Sequence, residues 1–332
     1  MLGVENPGIH DSFFESDADS LTAVTFLAAV SRAFRRDSFP NGLLFEAPTI
    51  AEMAVVLSRQ DPFIQPEVLP IQPSGSRNPL FYIAAGFEYR HLSKLLNPDQ
   101  PLFSIRVPNL EEAQTSITVE QAAARCIEAL RRFQPRGPYQ LAGWCFSGVV
   151  AFEMARQLSL QGHEVPFLGL FDARGILPIR GSRLRTRWVS FHENWIKLKF
   201  HFGALGRLGL GQAIEYCRAR SQTVARRQVR GFWTLSNSIF TALNSSTPIA
   251  LRGPDHFAAL ALGRYQPEPY SGSVVHFWSK DRPHSPYRQF PGEWTPYVSG
   301  PMTLHEIPGN HVTMFQHPHV EILARQIQQH LP

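Results

Sequence analysis

The sequence has few cysteines and no long uninterrupted apolar run, and both shortages narrow the class of protein. Three cysteines in 332 residues, Cys126, Cys145 and Cys217, are too few and too scattered for a disulfide framework or a Cys-x-x-Cys metal site. No apolar run reaches the ~18 residues of a membrane span. Residues 1–7 lack the basic start and apolar core of a signal peptide. We therefore expect a cytoplasmic protein with no membrane span and at least one free thiol.

The charge of the chain is unevenly distributed around a net value of +5. Residues 1–60 carry four basic and eight acidic side chains, whereas residues 174–231 carry thirteen basic and two acidic ones. The basic side chains lie among amphipathic helical patterns without a zinc finger or another nucleic-acid motif, so we expect no nucleic-acid partner. The basic segment either attracts the acidic N-terminal region or forms a solvated helix face, and the sequence leaves both open.

A proline-rich stretch divides the chain into a small and a large unit. Residues 61–73, DPFIQPEVLPIQP, contain four prolines and predict an extended linker. Before it, two stretches with apolar residues at helical spacing predict a small all-α domain over residues 1–60. Asp19 or Ser20 can cap the first helix, and Thr49 lies near the start of the second.

Beyond the linker, apolar strands alternate with helical patterns. This alternation predicts an α/β domain over residues 74–332, with a parallel sheet covered by helices on both faces. At about residues 174–265 the strand signals stop, and a helical, basic and aromatic segment interrupts the sheet; we interpret it as a lid. Its aromatic side chains would pack the lid or line a pocket: Trp188, Phe191, Trp195, Phe200 and Phe202.

One hexapeptide matches the nucleophile elbow of hydrolases. Residues 143–148, GWCFSG, fit the pattern G-x-S-x-G with Cys145 in the serine position and Ser147 in place of the last glycine. The pattern places its nucleophile at a sharp strand-to-helix turn, where the positive end of the helix lowers the pKa of a thiol. A cysteine that stood alone in such a unit would be an inert core residue.

A carboxylate and a histidine follow Cys145 in the order typical of α/β-hydrolases. Asp172 ends a predicted strand, and His311 follows the last one. His311 would take the thiol proton, and an acid would hold its imidazole in the required tautomer. Asp281, after the next strand, competes for the role of the acid; we favour Asp172 because it lies directly at a strand end.

Two backbone donors would form an oxyanion hole. The N–H of Phe146 follows the nucleophile, and the second donor comes from the loop after the first strand, from Ala85, Gly86 or Phe87. Gly86 permits the close turn that such a loop needs.

The other histidines are weaker candidates for a functional role. His317 and His319 have the spacing of a metal pair, but Pro318 between them favours a capping or surface role. His305 lies on the last predicted strand, at a partly exposed edge. We therefore expect no metal site.

The N-terminal segment resembles most of a peptidyl or acyl carrier domain, over about 57 positions. That family presents a serine for 4′-phosphopantetheine in a G-G-D-S-L motif, and here both glycines are replaced. The matching positions are Asp17, Ala18, Asp19, Ser20 and Leu21. The ending FEAPTIAEMA is also similar, whereas the first carrier helix would precede Leu2 and is missing. The resemblance implies that a phosphopantetheinyl transferase attaches 4′-phosphopantetheine covalently to Ser20.

Residues from about 71 to 331 resemble the thioesterase domain that ends nonribosomal peptide and polyketide synthetases. The segments RRFQPRGPYQLAGW, RYQPEPYSGSVVHFWS and EIPGNHVTMF are similar to that family, and so is the gap of 27 positions between Cys145 and Asp172. The usual nucleophile of the family is serine, with a cysteine subset.

The thioesterase resemblance implies an α/β-hydrolase fold with a helical lid. It also implies an acyl- or peptidyl-loaded carrier domain and upstream synthetase modules as partners. The acyl or peptidyl group would leave the carrier by transfer to Cys145. From Cys145 it would pass to water, an amine or a hydroxyl, in hydrolysis, cyclisation or intermolecular transfer.

Two other interpretations of the sequence stay open. Dienelactone-type hydrolases share G-x-C-x-G with an aspartate and a histidine, but they lack a carrier segment and a long basic insertion. A non-catalytic carrier and scaffold fragment with a degenerate hydrolase domain is the second; Ser147 and the incomplete carrier segment favour it. Cys145, Asp172 and His311 together oppose it.

Overall fold

The computed structural model describes residues 8–11, 13, 20–34, 43–58, 66–84, 89–107, 117–173, 256–281 and 292–332. The described residues of the N-terminal region form three helices, α1 (Ser20–Ala33), α2 (Leu43–Glu46) and α3 (Ile50–Ser58). A small apolar core joins them, formed by Phe13, Leu27, Leu43, Leu44, Ala47 and Met53. The regular elements among the described residues of this region are helices, as the sequence predicts.

The start of α3 is held by a reciprocal pair of hydrogen bonds. Thr49 Oγ1 accepts from the backbone N–H of Glu52 at 3.2 Å, and the Glu52 carboxylate accepts from the backbone N–H of Thr49 at 3.0 Å. The two bonds satisfy backbone donors that a helix start leaves unpaired, which explains why α3 begins at Ile50. For α1, the start is at Ser20, and the preceding positions Asp17, Ala18 and Asp19 lie outside the described residues.

A seven-stranded sheet forms the centre of the larger unit. Its strands are β1 (Val68–Gln72), β2 (Leu80–Ile83), β3 (Leu102–Ile105), β4 (Gln140–Trp144), β5 (Phe167–Phe171), β6 (Val274–Ser279) and β7 (Met302–Ile307), in the spatial order β1-β3-β2-β4-β5-β6-β7. Neighbouring strands are parallel except β1 and β3. Parallel neighbours point their carboxyl ends to the same edge, and that edge is where ligands bind in such folds.

Helices cover the sheet on both faces. They are α4 (Tyr89–Leu95), α5 (Val119–Phe133), α6 (Phe146–Leu160), α7 (His256–Arg264) and α8 (His319–His330). Buried side chains of α5 and α6 form one apolar cluster with the sheet, and those of α4 and α8 form a second. Each layer buries the apolar face that its sequence pattern predicts, so the α/β class with helices on both faces is confirmed.

The proline-rich linker is shorter than the sequence predicts. Residues 68–72, which we assign to the linker on composition, form the antiparallel edge strand β1. Pro70 is tolerated there because an edge strand has one side without a sheet neighbour, and the pairing with β3 shifts register between Pro70 and Gln72. Proline content disfavours helix but does not exclude a strand at a sheet edge.

Most of the predicted lid lies outside the described residues, which resume at α7. The five aromatic side chains named above, the basic side chains of residues 174–231 and Cys217 all lie outside the described residues. The described end of the segment, α7, is helical. Across the part of the chain that the structure covers, no helix is long and apolar enough to span a membrane.

Candidate active site

Cys145 occupies the turn between β4 and α6 and has an uncommon backbone conformation. Its φ of 54° and ψ of −120° lie outside the regions that most side chains adopt. Its backbone N–H donates to the carbonyl oxygen of Phe171, at the end of β5, at 3.0 Å. The residue is exposed to solvent. Strain of this kind persists only where the surrounding structure holds it, and such positions cluster at functional sites.

Two glycines make the turn possible. A Cβ on Gly143 would lie 2.3 Å from the carbonyl oxygen of Ser147, and one on Gly148 would lie 2.5 Å from the Cβ of Ala173. Ser147 itself fits the turn, half-buried, in the position where the sequence pattern expects glycine. The close contact therefore falls on Gly148, one residue later than the pattern indicates.

His311 lies in the turn after β7, and its imidazole contacts Asp172. The distance between His311 Nδ1 and Asp172 Oδ2 is 2.6 Å. Since a carboxylate only accepts, Nδ1 donates the proton, and Nε2 is the ring nitrogen left for another partner. The turn is fixed by Asn310, whose side-chain oxygen accepts from the backbone N–H groups of Val312 and Thr313, both at 3.0 Å.

Asp172 follows β5 directly and is buried, with 1% of its surface exposed. It has a φ of 47°, and its backbone N–H donates to the carbonyl oxygen of Phe277 at 2.7 Å. Ser279, the last residue of β6, donates to the carboxylate from both its backbone N–H and its hydroxyl. Asp281 is exposed instead, and its backbone N–H donates to Gly309. Of the two acids that the sequence offers, the structure joins Asp172 to His311.

The thiol of Cys145 and the imidazole of His311 form a coupled pair. Loss of solvation is the largest single influence on the thiol and by itself raises the pKa. The hydrogen bond and the charge of His311, together with the backbone N–H of Phe146, outweigh it and lower the pKa of Cys145 from its ordinary value. For His311 burial likewise opposes the charged form, but the bonds and charges of Asp172 and Cys145 raise its pKa to about 9. The pair therefore favours thiolate and imidazolium.

One of the two expected oxyanion donors lies in the described chain. Phe146 is the first residue of α6, and its backbone N–H is one of the groups that lower the pKa of the Cys145 thiol. The other candidates, Ala85, Gly86 and Phe87, lie outside the described residues. Ala84, which leads into that loop, has a φ of 52°.

Two side chains at the site escaped the sequence analysis. Trp144 precedes Cys145, and its indole lies against the imidazole of His311. Ser279 contacts Asp172 from the neighbouring strand. The available signals were weak: an aromatic residue inside the elbow motif, and a hydroxyl at a strand end.

The histidines that the sequence offered as weaker candidates have other partners where the structure describes them. His317 contacts Glu321 at 3.0 Å, and His305 contacts His330 at 2.7 Å between their Nε2 atoms. Within the described ranges, no group of three or more histidine, cysteine or acidic side chains could hold a metal ion.

The sheet order, the elbow after β4 and the Cys145, His311 and Asp172 row at the carboxyl edge define an α/β-hydrolase. Comparison with known proteins then identifies the two regions. A family model described as a thioesterase domain matches residues 81–176, and one described as a phosphopantetheine attachment site matches residues 1–57. The chain thus carries a carrier domain followed by a thioesterase domain, and both resemblances are confirmed.

Relatives of the chain are multidomain synthetases. It is 27% identical over 337 residues to malpibaldin synthetase of Mortierella alpina, covering 98% of this chain and 5% of that protein. It is 28% identical over 324 residues to a dimodular nonribosomal peptide synthase of Bacillus subtilis (strain 168), covering 95% of this chain and 13% of that protein. The chain therefore spans a small fraction of the relatives it matches.

A solved structure shares the fold over the whole chain. It is a holo four-domain nonribosomal peptide synthetase bound to AMP and glycine, 24% identical, with a TM-score of 0.58, covering 100% of this chain and 25% of that one. At this level of identity the likeness shows the fold alone.

The attachment-site match makes 4′-phosphopantetheine the cofactor of the carrier domain. Ser20, the serine of the matching motif, is the first residue of the 14-residue helix α1. A helix N-terminus has unpaired N–H groups and a positive dipole end, which favour a phosphodiester.

Proposed function

We propose that the thioesterase domain releases an acyl or peptidyl chain from a carrier thioester, with Cys145 as nucleophile, His311 as base and acid, and Asp172 as the acid that orients His311. The observation that carries the proposal is the arrangement at the strained elbow of Cys145, where His311 bonds to the buried Asp172 and lowers the pKa of the thiol. The paired thiolate and imidazolium supply a nucleophile and a proton donor before the substrate arrives.

In the first step, the Cys145 thiolate attacks the carbonyl carbon of the thioester substrate. The oxyanion lies near the N–H of Phe146, with the loop at Gly86 and Phe87 as the proposed second donor. The bond between the carbonyl carbon and the leaving sulfur breaks, and His311 Nε2 gives its proton to that sulfur. The products are a free thiol and an acyl group on Cys145, with His311 neutral.

In the second step, His311 Nε2 removes a proton from water, an amine or a hydroxyl as that group attacks the acyl carbon. The bond to Cys145 Sγ breaks and the thiolate returns beside the imidazolium. Throughout both steps Asp172 keeps the proton on Nδ1, so that Nε2 alone faces the reacting atoms.

Sulfur in place of oxygen suits transfer to nucleophiles other than water. A serine enzyme converts the thioester into a more stable oxyester, whereas Cys145 exchanges one thioester for another. The acyl group stays activated on the enzyme, which supports release by an amine, a hydroxyl or an internal nucleophile. A Cys145→Ser variant that released the same product at an undiminished rate would contradict this role of sulfur.

The carrier domain extends the proposal to partners. When bound, 4′-phosphopantetheine supplies a thiol that carries the acyl group as a thioester. We assign its attachment to Ser20, its installation to a phosphopantetheinyl transferase, and the origin of the acyl chain to upstream synthetase modules. Attraction between the acidic carrier region and the basic lid stays a prediction, as does the cytoplasmic location.

The two alternatives to this function are weakened by different observations. A degenerate hydrolase domain does not require a strained backbone at Cys145, a buried Asp172 and a lowered pKa of the Cys145 thiol. Their occurrence together favours an active site. A dienelactone-type hydrolase would have no carrier domain, and residues 1–57 match one.

Mass spectrometry of the intact chain tests the proposal. The protein is incubated with a phosphopantetheinyl transferase and a panel of acyl-CoA donors, as wild type and as Ser20→Ala, Cys145→Ala and Cys126→Ala variants. We expect an acyl-phosphopantetheine adduct that clears from wild type and from Cys126→Ala, persists on Cys145→Ala and never forms on Ser20→Ala.

Cys126→Ala is the matched control, because it removes a buried thiol that has no place in the proposed reaction. Clearance from Cys145→Ala at the wild-type rate would overturn the role of Cys145. Addition of the phosphopantetheine mass to Ser20→Ala would overturn the attachment site.

A further inference from the structure

The carboxylate of Asp172 is held by a residue of the neighbouring strand. The backbone N–H of Ser279 donates to Asp172 Oδ1 at 2.9 Å, and the Ser279 hydroxyl donates to Oδ2 at 3.0 Å. His311 Nδ1 bonds to the same Oδ2 at 2.6 Å. Ser279 and Asp172 are both buried, with 0% and 1% of their surfaces exposed. Asp172 Oδ2 thus lies between the Ser279 hydroxyl and the imidazole.

The two bonds from Ser279 have different effects on the carboxylate. The backbone N–H of Ser279 bonds to Oδ1. Because the terminal torsion of an aspartate is broad and a hydrogen bond tolerates some change in length and angle, one bond fixes the plane of the carboxylate loosely. The hydroxyl bonds to the second oxygen and so narrows the range of that torsion. It also offsets part of the cost of keeping a carboxylate charged in a buried place.

The end of β6 therefore provides the site with a donor. Ser279 points inward to Asp172, and two positions later Asp281 is exposed. Asp172 directly follows β5, with φ in the left-handed region, and its carboxylate lies beside the end of β6.

We propose that Ser279 is a positioning residue of this site, whose hydroxyl orients Asp172 Oδ2 toward His311 and thereby aims His311 Nε2 at Cys145. The inference rests on the proposed roles of Cys145, His311 and Asp172. Ser279 acts through Asp172 and His311 and does not contact the reacting atoms.

The test compares Ser279→Thr with Ser279→Val, two side chains of the same shape that differ in the hydroxyl. Turnover of aminoacyl and octanoyl N-acetylcysteamine thioesters is measured with the full chain. We expect Ser279→Thr to stay within about threefold of wild type. In Ser279→Val we expect kcat to fall by roughly ten- to a hundredfold, which corresponds to the loss of one hydrogen bond to a charged group. KM should change little.

A second readout does not depend on the substrate. The rate of Cys145 alkylation by iodoacetamide at pH 7 should fall severalfold in Ser279→Val and stay near wild type in Ser279→Thr, because a misdirected His311 stabilises the thiolate less. If the larger side chains of Ser279→Thr and Ser279→Val prevent folding, Ser279→Ala is measured instead, because alanine is smaller than serine. We expect its kcat to fall as in Ser279→Val.

The outcomes separate this inference from the function on which it rests. Equal turnover and equal alkylation in Ser279→Val and Ser279→Thr would overturn the role of the hydroxyl, and so would wild-type turnover in Ser279→Ala. In either case an inactive Cys145→Ala would still support the proposed function. Wild-type turnover in Cys145→Ala would overturn the proposed function itself.

Discussion

The imidazole of His311 lies against the indole of Trp144, with ring centroids 4.6 Å apart and planes inclined by 30°. The face of an indole attracts a cation, and His311 has a pKa raised to about 9, so it is charged at neutral pH. Trp144 Nε1 is buried and has no hydrogen-bond partner among the described residues. The ring face, rather than the N–H group, is therefore the part of Trp144 that acts on His311.

Replacement of Trp144 should lower the fraction of thiolate at Cys145. Trp144→Leu removes the aromatic face, and we expect Cys145 alkylation at pH 7 to slow by about three- to tenfold, the range of a cation–π contact. Trp144→Phe keeps an aromatic face and should retain most of the rate. The rates follow from timed iodoacetamide labelling read by mass spectrometry. A slower rate in Trp144→Phe than in Trp144→Leu would contradict the assignment.

The two described cysteines should react very differently with pH. The pKa of Cys145 is lowered, so its alkylation should reach half its maximal rate below pH 9, the ordinary midpoint for a thiol. Burial and the nearby charge of Glu67 raise the pKa of Cys126 to about 12, and this thiol should stay unlabelled in the folded protein. Labelling of single cysteines across pH 5–10, with peptide mapping, measures both.

His311→Gln tests the cause of the lowered pKa. Without the imidazolium, loss of solvation is the dominant influence, so the midpoint for Cys145 should move above pH 9. In wild type, His311 loses its proton near pH 9, and the thiolate then loses its charged partner. An unchanged midpoint in His311→Gln would show that the helix N-terminus alone activates the thiol.

The elbow should not tolerate a methyl group at Gly148. Gly148→Ala places a Cβ 2.5 Å from Ala173 Cβ and 2.8 Å from the carbonyl oxygen of Gly143, where backbone must move. We expect a loss of about 1–3 kcal/mol in the free energy of unfolding, typical of overpacking. Gly263→Ala is the control, because the same methyl group meets nothing within 4 Å there and should be neutral or stabilise by about 0.5 kcal/mol. Urea unfolding measures both; equal values would contradict the contact.

A buried carboxylate ties the end of the predicted lid to α6. Glu153 accepts from Arg156, Gln157 and, at 2.8 Å, from the hydroxyl of Tyr265, which follows α7. Tyr265→Phe removes a bond to a charged acceptor and should cost about 1.5–3 kcal/mol of unfolding free energy. Tyr139→Phe removes a bond to a backbone carbonyl at 3.0 Å and should cost about 0.5–1.5 kcal/mol. Urea unfolding of the two variants ranks them, and the opposite order would contradict a charged Glu153.

Sequence reasoning predicted the elements whose apolar pattern is long and regular. The segments 118–133, 139–144 and 165–172 predict one helix and two strands from their apolar pattern, and α5, β4 and β5 agree with them to within a few residues. Sequence reasoning missed β3 and assigned β1 to the linker because of its prolines. Both strands are defined by pairing with a neighbour, and no local pattern records that pairing.

For the candidate site, the sequence by itself determined which residue types were available and in what order. Cys145, Asp172 and His311 could be named because an elbow motif and strand ends have local signatures; their catalytic roles stay predictions. Only the tertiary structure shows that His311 bonds to Asp172 and not to Asp281. It also shows that the close contact of the elbow lies at Gly148, and that Trp144 and Ser279 contact His311 and Asp172. Those decisions depend on distances between strands that are far apart in the chain, and such distances are set by how the sheet packs rather than by any single segment.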